Sequence, residues 1–314
     1  MAEATAISPT SRDRRLGIVA VTVATVVWAT GTIIVKDSSL SGLQFAMFRL
    51  WVGVAISVSA LLVTRRRLSW KVFRSCALGG VFFAADIALH FTSVKLTSIA
   101  DVALIGALAP VVIAIGSAKL LGERIPRRDA VLVGVSFLGV VVVVIGSTGS
   151  PTWSLAGDLL ALLGIGTWAA YWFFSRRARH DAPSIEYFAC VMIAGALVMT
   201  PTAIALEGVP SWPTTSEWIS VGAVALFPGF VGHTLVIWSH PRVDSWLSAL
   251  ITQCTPIVSV ILAWVILGEA LTPLVVFGGV VVIAATGSVI LQQARRQPPV
   301  ATELAIEEAA ERAN

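Results

Sequence analysis

The segment "APVVIAIGSAKLLGERIP" at residues 109–126 matches a later segment, "TPIVSVILAWVILGEALT", at residues 255–272. In both segments a proline near the start precedes a Gly-Glu pair by twelve residues, and an apolar run that contains glycine follows. A match of this kind at a long spacing indicates that the chain contains two copies of one structural unit. We therefore predict a duplicated fold.

A second pair of matching positions lies near the start of each half. Gly17 precedes Trp28 by eleven residues, and Gly157 precedes Trp168 by the same distance. The two halves are offset by 140 residues at these positions and by 146 residues at the Gly-Glu pairs. The copies therefore differ by a few residues in their connecting loops.

The composition favours a membrane protein over a soluble one. Of the 314 residues, 56% are hydrophobic and only 13% are charged, and the mean hydropathy is +0.86. Soluble domains contain about 25% charged residues. The low charge content is expected if most of the chain lies in a lipid bilayer.

The apolar runs predict ten helices that could span a membrane, since one span needs roughly 20 mainly apolar residues. The predicted spans are 16–35, 45–64, 76–95, 98–120, 130–146, 155–174, 185–206, 218–239, 245–267 and 273–291. Each half then has five helices, an odd number, so the second copy enters the membrane from the opposite side. The predicted fold is an all-α integral membrane protein with ten transmembrane helices in two inverted five-helix repeats.

The Lys and Arg residues are distributed unevenly between the two sets of loops. With a cytoplasmic N-terminus, 19 of the 22 Lys and Arg residues fall on the cytoplasmic side, and only Lys36 and Lys95 fall outside. Because positive loops stay in the cytoplasm, we predict a multi-pass protein of the cytoplasmic (inner) cell membrane with both termini inside. The predicted parts are a cytoplasmic segment 1–15, a first repeat 16–146, a second repeat 155–291 and an acidic cytoplasmic tail 292–314.

Other classes of protein find little support in the sequence. The net charge of +4 is too small to indicate nucleic-acid binding. Cys76, Cys190 and Cys254 lie in apolar runs without the spacing of a disulfide framework or a metal site. There is also no phosphate-binding loop and no nucleophile elbow. We predict no enzyme activity, no cofactor and no metal.

The repeated motifs resemble those of a known family. The paired "P…LLGE" and "P…ILGE" helices, and Phe48-Arg49 near the start of the second helix, resemble the drug/metabolite transporter superfamily and its ten-helix EamA family over roughly 16–291. The resemblance implies export of small metabolites, often amino acids or other polar solutes, between the two halves. This chain departs from relatives in two ways: the second half lacks an arginine equivalent to Arg49, and the first helix lacks the carboxylate of the small multidrug transporters.

Four ionisable residues lie at outer-to-middle depth on the second, third and fourth helices. Asp86 and His90 are spaced i, i+4 and share one face of the third helix, near the middle of the bilayer. An intramembrane charge marks a candidate functional site. This pair is therefore either a substrate or proton site or a packed, satisfied pair. Arg49 and Asp101 lie nearer the surface. They either pair and join the second helix to the fourth as a structural element, or they have a functional role.

The eighth helix, the repeat mate of the third, has an interruption near its middle. In "LFPGFVGHTLVIWSH" the position equivalent to Asp86 is Gly232, which precedes His233. Pro228 and the nearby glycines predict a broken helix, which in transporters is a pointer to the binding site or a hinge. His233 either faces the same site as Asp86 or is packed and satisfied.

Two tryptophans and two prolines occupy equivalent positions in the two halves. Trp28 and Trp168 lie near mid-membrane rather than at an interface. They either line the site, with Tyr171 nearby, or fill the bundle core. Pro110 and Pro256 are expected to kink the fourth and ninth helices, as structural or gating elements.

These features predict a secondary transporter that exports a small polar metabolite by alternating access of its repeats. The substrate-binding candidates are Asp86, His90, Trp28, Trp168, His233 and Tyr171. Proton coupling through Asp86 and His90 is one hypothesis, and an uncoupled facilitator or channel is another. A non-transporting membrane scaffold is the alternative of a different class. The predicted partners are a small molecule and the bilayer, no nucleic acid, and a homodimer as an open alternative.

Overall fold

The computed structural model describes residues 11–97, 99–147, 154–178, 182–258, 261–262 and 272–295. The first half contains α1 (Ser11–Trp28), α2 (Gly31–Asp37), α3 (Gly42–Val63), α4 (Trp70–Leu96), α5 (Ile99–Gly106), α6 (Ala109–Leu120) and α7 (Arg127–Ser147). The second half contains α8 (Leu155–Ala178), α9 (Ser184–Glu207), α10 (Thr215–Val224), a π-helical segment (Ala225–Gly232), α11 (His233–Ser239), α12 (Ser245–Thr252) and α13 (Pro273–Arg295). These ranges contain helices and short connections and no strand.

Nine helical stretches in the described ranges are long and apolar enough to cross a membrane. The ninth of the ten predicted helices, 245–267, begins as α12, and part of it falls outside the described residues, as do Gly268 and Glu269. Large apolar side chains such as Leu62, Leu138 and Phe277 are exposed on the outer surface. An apolar surface this extensive is typical of contact with lipid.

The helix packing follows a pseudo-twofold relation between the halves. The third span of the first half, α4, packs on α8, and its mate in the second half, the π-helical segment with α11, packs on α1. Helices α3 and α9 are mates and pack on each other, as do α7 and α13, and α6 and α12. The structure therefore has the two-repeat architecture that the sequence predicts.

The first helix of each repeat also has the same environment. The pattern of buried, half-buried and exposed positions over 16–29 recurs over 156–169 with one exception, Ala20 and its mate Leu160. Both helices therefore present the same face to the protein interior. The first helices of the two repeats have therefore kept equivalent packing.

The fourth and ninth spans are interrupted at equivalent positions. The first break lies at Ala107, before Pro110, and the second lies at Gln253, before Pro256. Proline removes a helical hydrogen bond and clashes with the preceding turn. The Gln253 side chain donates to the Ala107 carbonyl at 3.0 Å, so the two breaks are joined to each other. The predicted distortion at both prolines is confirmed.

The eighth span is π-helical near its middle, whereas its mate α4 is α-helical throughout. Pro228 lies inside the π-helical segment, which separates α10 from α11. Isolated π-helical turns occur often at functional sites, because they free backbone groups and redirect side chains. The structure therefore shows the predicted irregularity as a π-helical segment within one continuous helix, not as a break.

Candidate functional site

Five rings from four helices meet at the centre of the molecule. Trp28 lies 4.9 Å from His233 and 5.5 Å from Trp168, measured between ring centroids. Phe83 lies 4.8 Å from His233 and 4.9 Å from Tyr171. We call these five residues the aromatic cluster. The structure brings together four predicted site residues, Trp28, Trp168, Tyr171 and His233, and adds Phe83.

The π-helical segment positions Trp28 within this cluster. The indole Nε1 of Trp28 donates to the carbonyl oxygen of Pro228 at 2.9 Å. A Cβ atom at Gly232 would collide with the same indole nitrogen. The π-helical segment therefore supplies both an acceptor for Trp28 and the space for its close approach, and a side chain at Gly232 would displace the ring.

His233 is enclosed by the cluster. Its side chain is buried, with 7% of its surface exposed, and four neighbouring rings pack against it. Its Nδ1 has no hydrogen-bond partner among the described residues. His233 is packed as one of the two predicted alternatives requires, and its unpartnered nitrogen remains available to a bound molecule.

Arg49 lies beside the aromatic cluster. Its guanidinium carbon is 5.3 Å from the ring centroid of Phe83 and 5.6 Å from that of Phe91, within the range of cation–π attraction. A Cβ atom at Gly229 would lie 3.5 Å from Nη2 of Arg49. The arginine therefore packs against the π-helical segment across the interface between the halves.

The predicted ion pair between Arg49 and Asp101 is wrong. None of the ion pairs between described residues joins them. The Thr97 hydroxyl donates to Asp101 at 2.9 Å and also lies 2.9 Å from a carboxylate oxygen of Asp158. Asp101 therefore belongs to a hydrogen-bonded group at the end of α4. Arg49 points elsewhere because its face of α3 is directed at the aromatic rings.

Asp86 and His90 lie one turn apart on α4 and remain half-buried. Neither side chain makes a hydrogen bond to the described part of the protein, and the two do not bond to each other. The charge of Arg49 acts on both, although no ion pair joins it to Asp86. A bonded Asp86–His90 pair, one of the two predicted alternatives, is therefore not seen among the described residues. The described ranges also contain no group of three His, Cys, Asp or Glu residues that could hold a metal ion.

Arg176 connects several backbone and side-chain groups at one end of the molecule. It donates to the carbonyl oxygens of His240 and Val243 and forms an ion pair with Glu123 at 3.4 Å. Glu123 also accepts a hydrogen bond from the backbone nitrogen of Ser245 at 3.1 Å. We call these five residues the Arg176 junction. It joins α8 to the end of α11, and it joins both to the loop after α6 in the other half.

Lys36 makes the equivalent contacts at the opposite end. Its ammonium donates to the carbonyl oxygens of Val94 at 2.7 Å and Thr97 at 2.8 Å. Lys95 donates to the carbonyl oxygen of Ser38 nearby. We call Lys36, Ser38, Val94, Lys95 and Thr97 the Lys36 junction. The donors of the two junctions are offset by 140 residues and their carbonyl acceptors by 146, the offsets of the repeat.

Two glycines give the junctions the same close packing. A Cβ atom at Gly17 would lie 2.6 Å from the Val243 side chain, and one at Gly157 would lie 2.7 Å from Thr97. Gly17 and Gly157 are repeat mates, and so are Val243 and Thr97. At each junction a glycine therefore lets the first helix of one repeat approach the carbonyl segment of the other repeat. The basic side chain holds that segment.

Two further ion pairs reinforce the Arg176 end. Arg14 pairs with Asp244 at 3.3 Å, and Arg242 pairs with Asp13 at 3.9 Å. Each pair joins the first helix of the chain to the segment between α11 and α12. Sequence reasoning missed both junctions, although the matched positions of Lys36 and Arg176 in the two repeats were a signal that could have identified them.

Comparisons with known proteins agree with the fold. The sequence pattern of the EamA-like transporter family matches residues 15–145 and 155–291. The pseudopaline exporter CntI of Pseudomonas aeruginosa is 24% identical, with coverage of 86% of this chain and 94% of the relative. The aromatic amino acid exporter YddG of Ancylobacter novellus is 28% identical, with coverage of 67% and 74%.

A solved structure shares the fold. One crystal structure superposes with a TM-score of 0.74 and 24% identity, covering 89% of this chain and 98% of the other. The uncharacterised transporter YyaM of Bacillus subtilis is also 24% identical, with coverage of 76% and 81%. These matches identify a membrane transporter rather than an enzyme.

Proposed function

The chain belongs to the EamA-like transporter family, and we propose that it is a secondary transporter that exports small polar metabolites such as amino acids. The proposal depends on one observation. Between the two halves, the aromatic cluster adjoins three ionisable side chains, Arg49, Asp86 and His90, that make no hydrogen bond to the described residues. Unpartnered charged groups beside aromatic rings suit the capture of a small polar solute. The exporters among the relatives support the direction of transport.

The proposed binding site has an apolar wall and polar groups. Trp28, Trp168 and Tyr171 supply ring faces for the carbon skeleton of the solute. Asp86 and His90 face the same region from α4, and His233 contributes its unpartnered nitrogen. The polar groups bind and orient the solute, and the rings exclude water around it.

We place the two junctions at the two gates of an alternating-access cycle. In each junction the basic side chain holds a carbonyl segment of its own repeat, and the first helix of the other repeat packs on that segment at Gly17 or Gly157. Rocking of one repeat against the other would open one junction while the other stays closed. The helix breaks before Pro110 and Pro256, and the π-helical segment at Pro228, are positions where bending costs few hydrogen bonds.

The proposed orientation puts the Arg176 junction in the cytoplasm. The excess of Lys and Arg lies on the side of this junction, and positive loops are retained in the cytoplasm. The Lys36 junction then faces the outside, and the protein is a multi-pass component of the cytoplasmic membrane. The relatives in bacteria support a cell-membrane location.

Proton coupling is the proposed energy source. Asp86 and His90 share a face of α4 at the binding site, and both change charge on proton exchange. A carboxylate that binds either the solute or a proton, but never both at once, couples the movement of the solute to that of the proton. Export of the solute would then be driven by proton entry.

The test is transport into proteoliposomes under an imposed pH gradient, with the twenty amino acids as solutes. We expect Asp86→Asn to abolish accumulation against a gradient while the exposed Asp37→Asn behaves like the wild-type protein. Full accumulation by Asp86→Asn would exclude the coupling. Downhill movement without any response to pH in the wild-type protein would identify an uncoupled facilitator instead.

A further inference from the structure

We infer that Arg49 is an anion-binding residue of the central site, and that the transported molecules therefore carry a carboxylate. This inference rests on the proposed function and specifies its substrate class. It also replaces the structural role that sequence reasoning gave to Arg49. Three features of the molecule support it: the missing partners of the guanidinium, its surroundings, and the fit of a carboxylate.

The first feature is the unsatisfied state of the guanidinium. Arg49 is 4% exposed, and its Nε and Nη1 are buried without a hydrogen-bond partner among the described residues. An arginine presents five N–H donors. Leaving a buried charged group unsatisfied is unfavourable, so such groups are usually paired. A buried arginine without a protein partner has its donors free for a ligand.

The second feature is the absence of a local acceptor for these donors. Asp101 takes its hydrogen bond from Thr97, and Asp86 forms no ion pair with Arg49. The surroundings of the guanidinium are the rings of Phe83 and Phe91 and the backbone at Gly229. Ring faces attract the cation but accept no N–H in the plane of the guanidinium. The charge is held in place by packing, while its Nε and Nη1 make no hydrogen bond to the described residues.

The third feature is the shape of the group that fits. A guanidinium edge binds a carboxylate through two parallel hydrogen bonds, with a geometry that a neutral amide cannot match. The second repeat provides no equivalent arginine, since the aligned position is at or near Val191. The arginine of the site therefore comes from the first repeat alone, as far as the aligned positions show. Asp86, half-buried and without a hydrogen bond, offers a separate partner to an ammonium on the same molecule.

The experiment compares free carboxylates with their amides. The purified full chain is titrated with phenylalanine, leucine, serine and lysine and with the four corresponding carboxamides, and binding is measured calorimetrically. We expect at least one acid to bind about tenfold or more tightly than its amide, the effect of one charge-assisted interaction. Arg49→Gln should reduce binding of that acid to the level of its amide, and Arg49→Lys should retain part of the preference.

A stability measurement separates binding from a structural role. Because Arg49→Gln removes an unpartnered buried charge, its melting temperature without ligand should equal or exceed that of the wild-type protein. The exposed Arg67→Gln is the matched control and should change neither binding nor melting. A lower melting temperature with the acid preference intact would show that Arg49 is structural and overturn the inference.

The binding pattern also distinguishes the two proposals. If an acid and its amide bind the wild-type protein equally, the inference about Arg49 fails while export of metabolites stands. If vesicles show transport of a solute that has no anionic group, the inference fails in the same way. If none of the eight compounds binds or is transported, the proposal of amino-acid export itself fails, and the carboxylate inference with it.

Discussion

At one end of the molecule Arg176 donates to the carbonyl oxygens of His240 and Val243, and at the other Lys36 donates to those of Val94 and Thr97. The duplication has produced two junctions, and in each of them a basic side chain donates to two carbonyl oxygens. The chemistry of the two ends has since diverged. The arginine also binds the carboxylate of another element, whereas no ion pair of Lys36 exists among the described residues.

The difference in burial follows from the difference in side chain. The side chain of Arg176 is 17% exposed and that of Glu123 is 9% exposed, while Lys36 is exposed. A guanidinium has several donors in a rigid plane and can serve a carboxylate and carbonyl groups at once. An ammonium is a hydrated point charge on a flexible stem. We therefore expect the Arg176 junction to contribute more stability and to open less readily.

The largest effect is expected from Arg176→Gln. The substitution leaves the nearly buried Glu123 carboxylate without its cation and two carbonyl oxygens without a donor. The free energy of unfolding should fall by about 3 kcal/mol, as for other broken buried pairs. Denaturant unfolding in micelles measures it. A loss no greater than that of Lys36→Gln would contradict the comparison, and Glu123→Gln in the same background should recover part of the loss.

The next effect compares the two glycines. At Gly157 the added methyl group of alanine would meet the Thr97 backbone nitrogen at 3.0 Å as well as its side chain, whereas at Gly17 it would meet two side chains. Backbone yields less than a side chain, so Gly157→Ala should cost about 2 kcal/mol and Gly17→Ala about 1 kcal/mol, in the range of overpacking. Melting temperatures of the two variants measure the order. The reverse order would mean that the side chains at Gly17 yield less than the Thr97 backbone at Gly157.

A smaller loss is expected from Lys36→Gln. The carbonyl oxygens of Val94 and Thr97 lose a charged donor, but solvent reaches this side chain and can replace it. The free energy of unfolding should fall by about 0.5–1 kcal/mol. Unfolding curves recorded beside those of Arg176→Gln give the ratio of the two losses in unfolding free energy directly. The comparison would be wrong if Lys36→Gln were as unstable as the arginine variant.

The smallest effect is expected from Lys36→Arg. Arginine keeps the charge and the donors, and Lys36 forms no ion pair with a described carboxylate that the change would disturb. The change in the free energy of unfolding should stay within about 0.5 kcal/mol. A clear stabilisation in the melting curve would indicate a carboxylate at this end. Glu269, the repeat mate of Glu123, is outside the described residues and is the first residue to substitute in that case.

The contents of the central site were partly predictable because the repeat relates positions in sequence. Trp28 and Trp168 were identified as equivalent residues at similar depth, and in the structure their rings lie 5.5 Å apart. Equivalent groups near a pseudo-twofold axis lie close to each other. The glycine and proline content of the eighth span likewise predicted its irregularity, because both residues act on the local backbone.

The assignment of Arg49 failed for a different reason. Residue number gives the depth of a side chain along a helix, and Arg49 and Asp101 have similar depths. Depth does not give the direction in which a helix face points once the helices pack. That direction brings Arg49 to Phe83 and leaves Asp101 with Thr97. The Asp86–His90 spacing likewise placed both residues on one face without a contact between them.

The sequence by itself determined that the chain is helical, lies in a membrane and contains two related halves, because hydropathy and repeat spacing are local properties of the chain. It also identified most of the rings at the centre. Only the tertiary structure decided which charges pair, which remain unpartnered, and that Lys36 and Arg176 hold equivalent carbonyl groups at opposite ends. The physical reason is that pairing depends on the rotation and separation of packed helices, which arise from contacts between residues far apart in sequence.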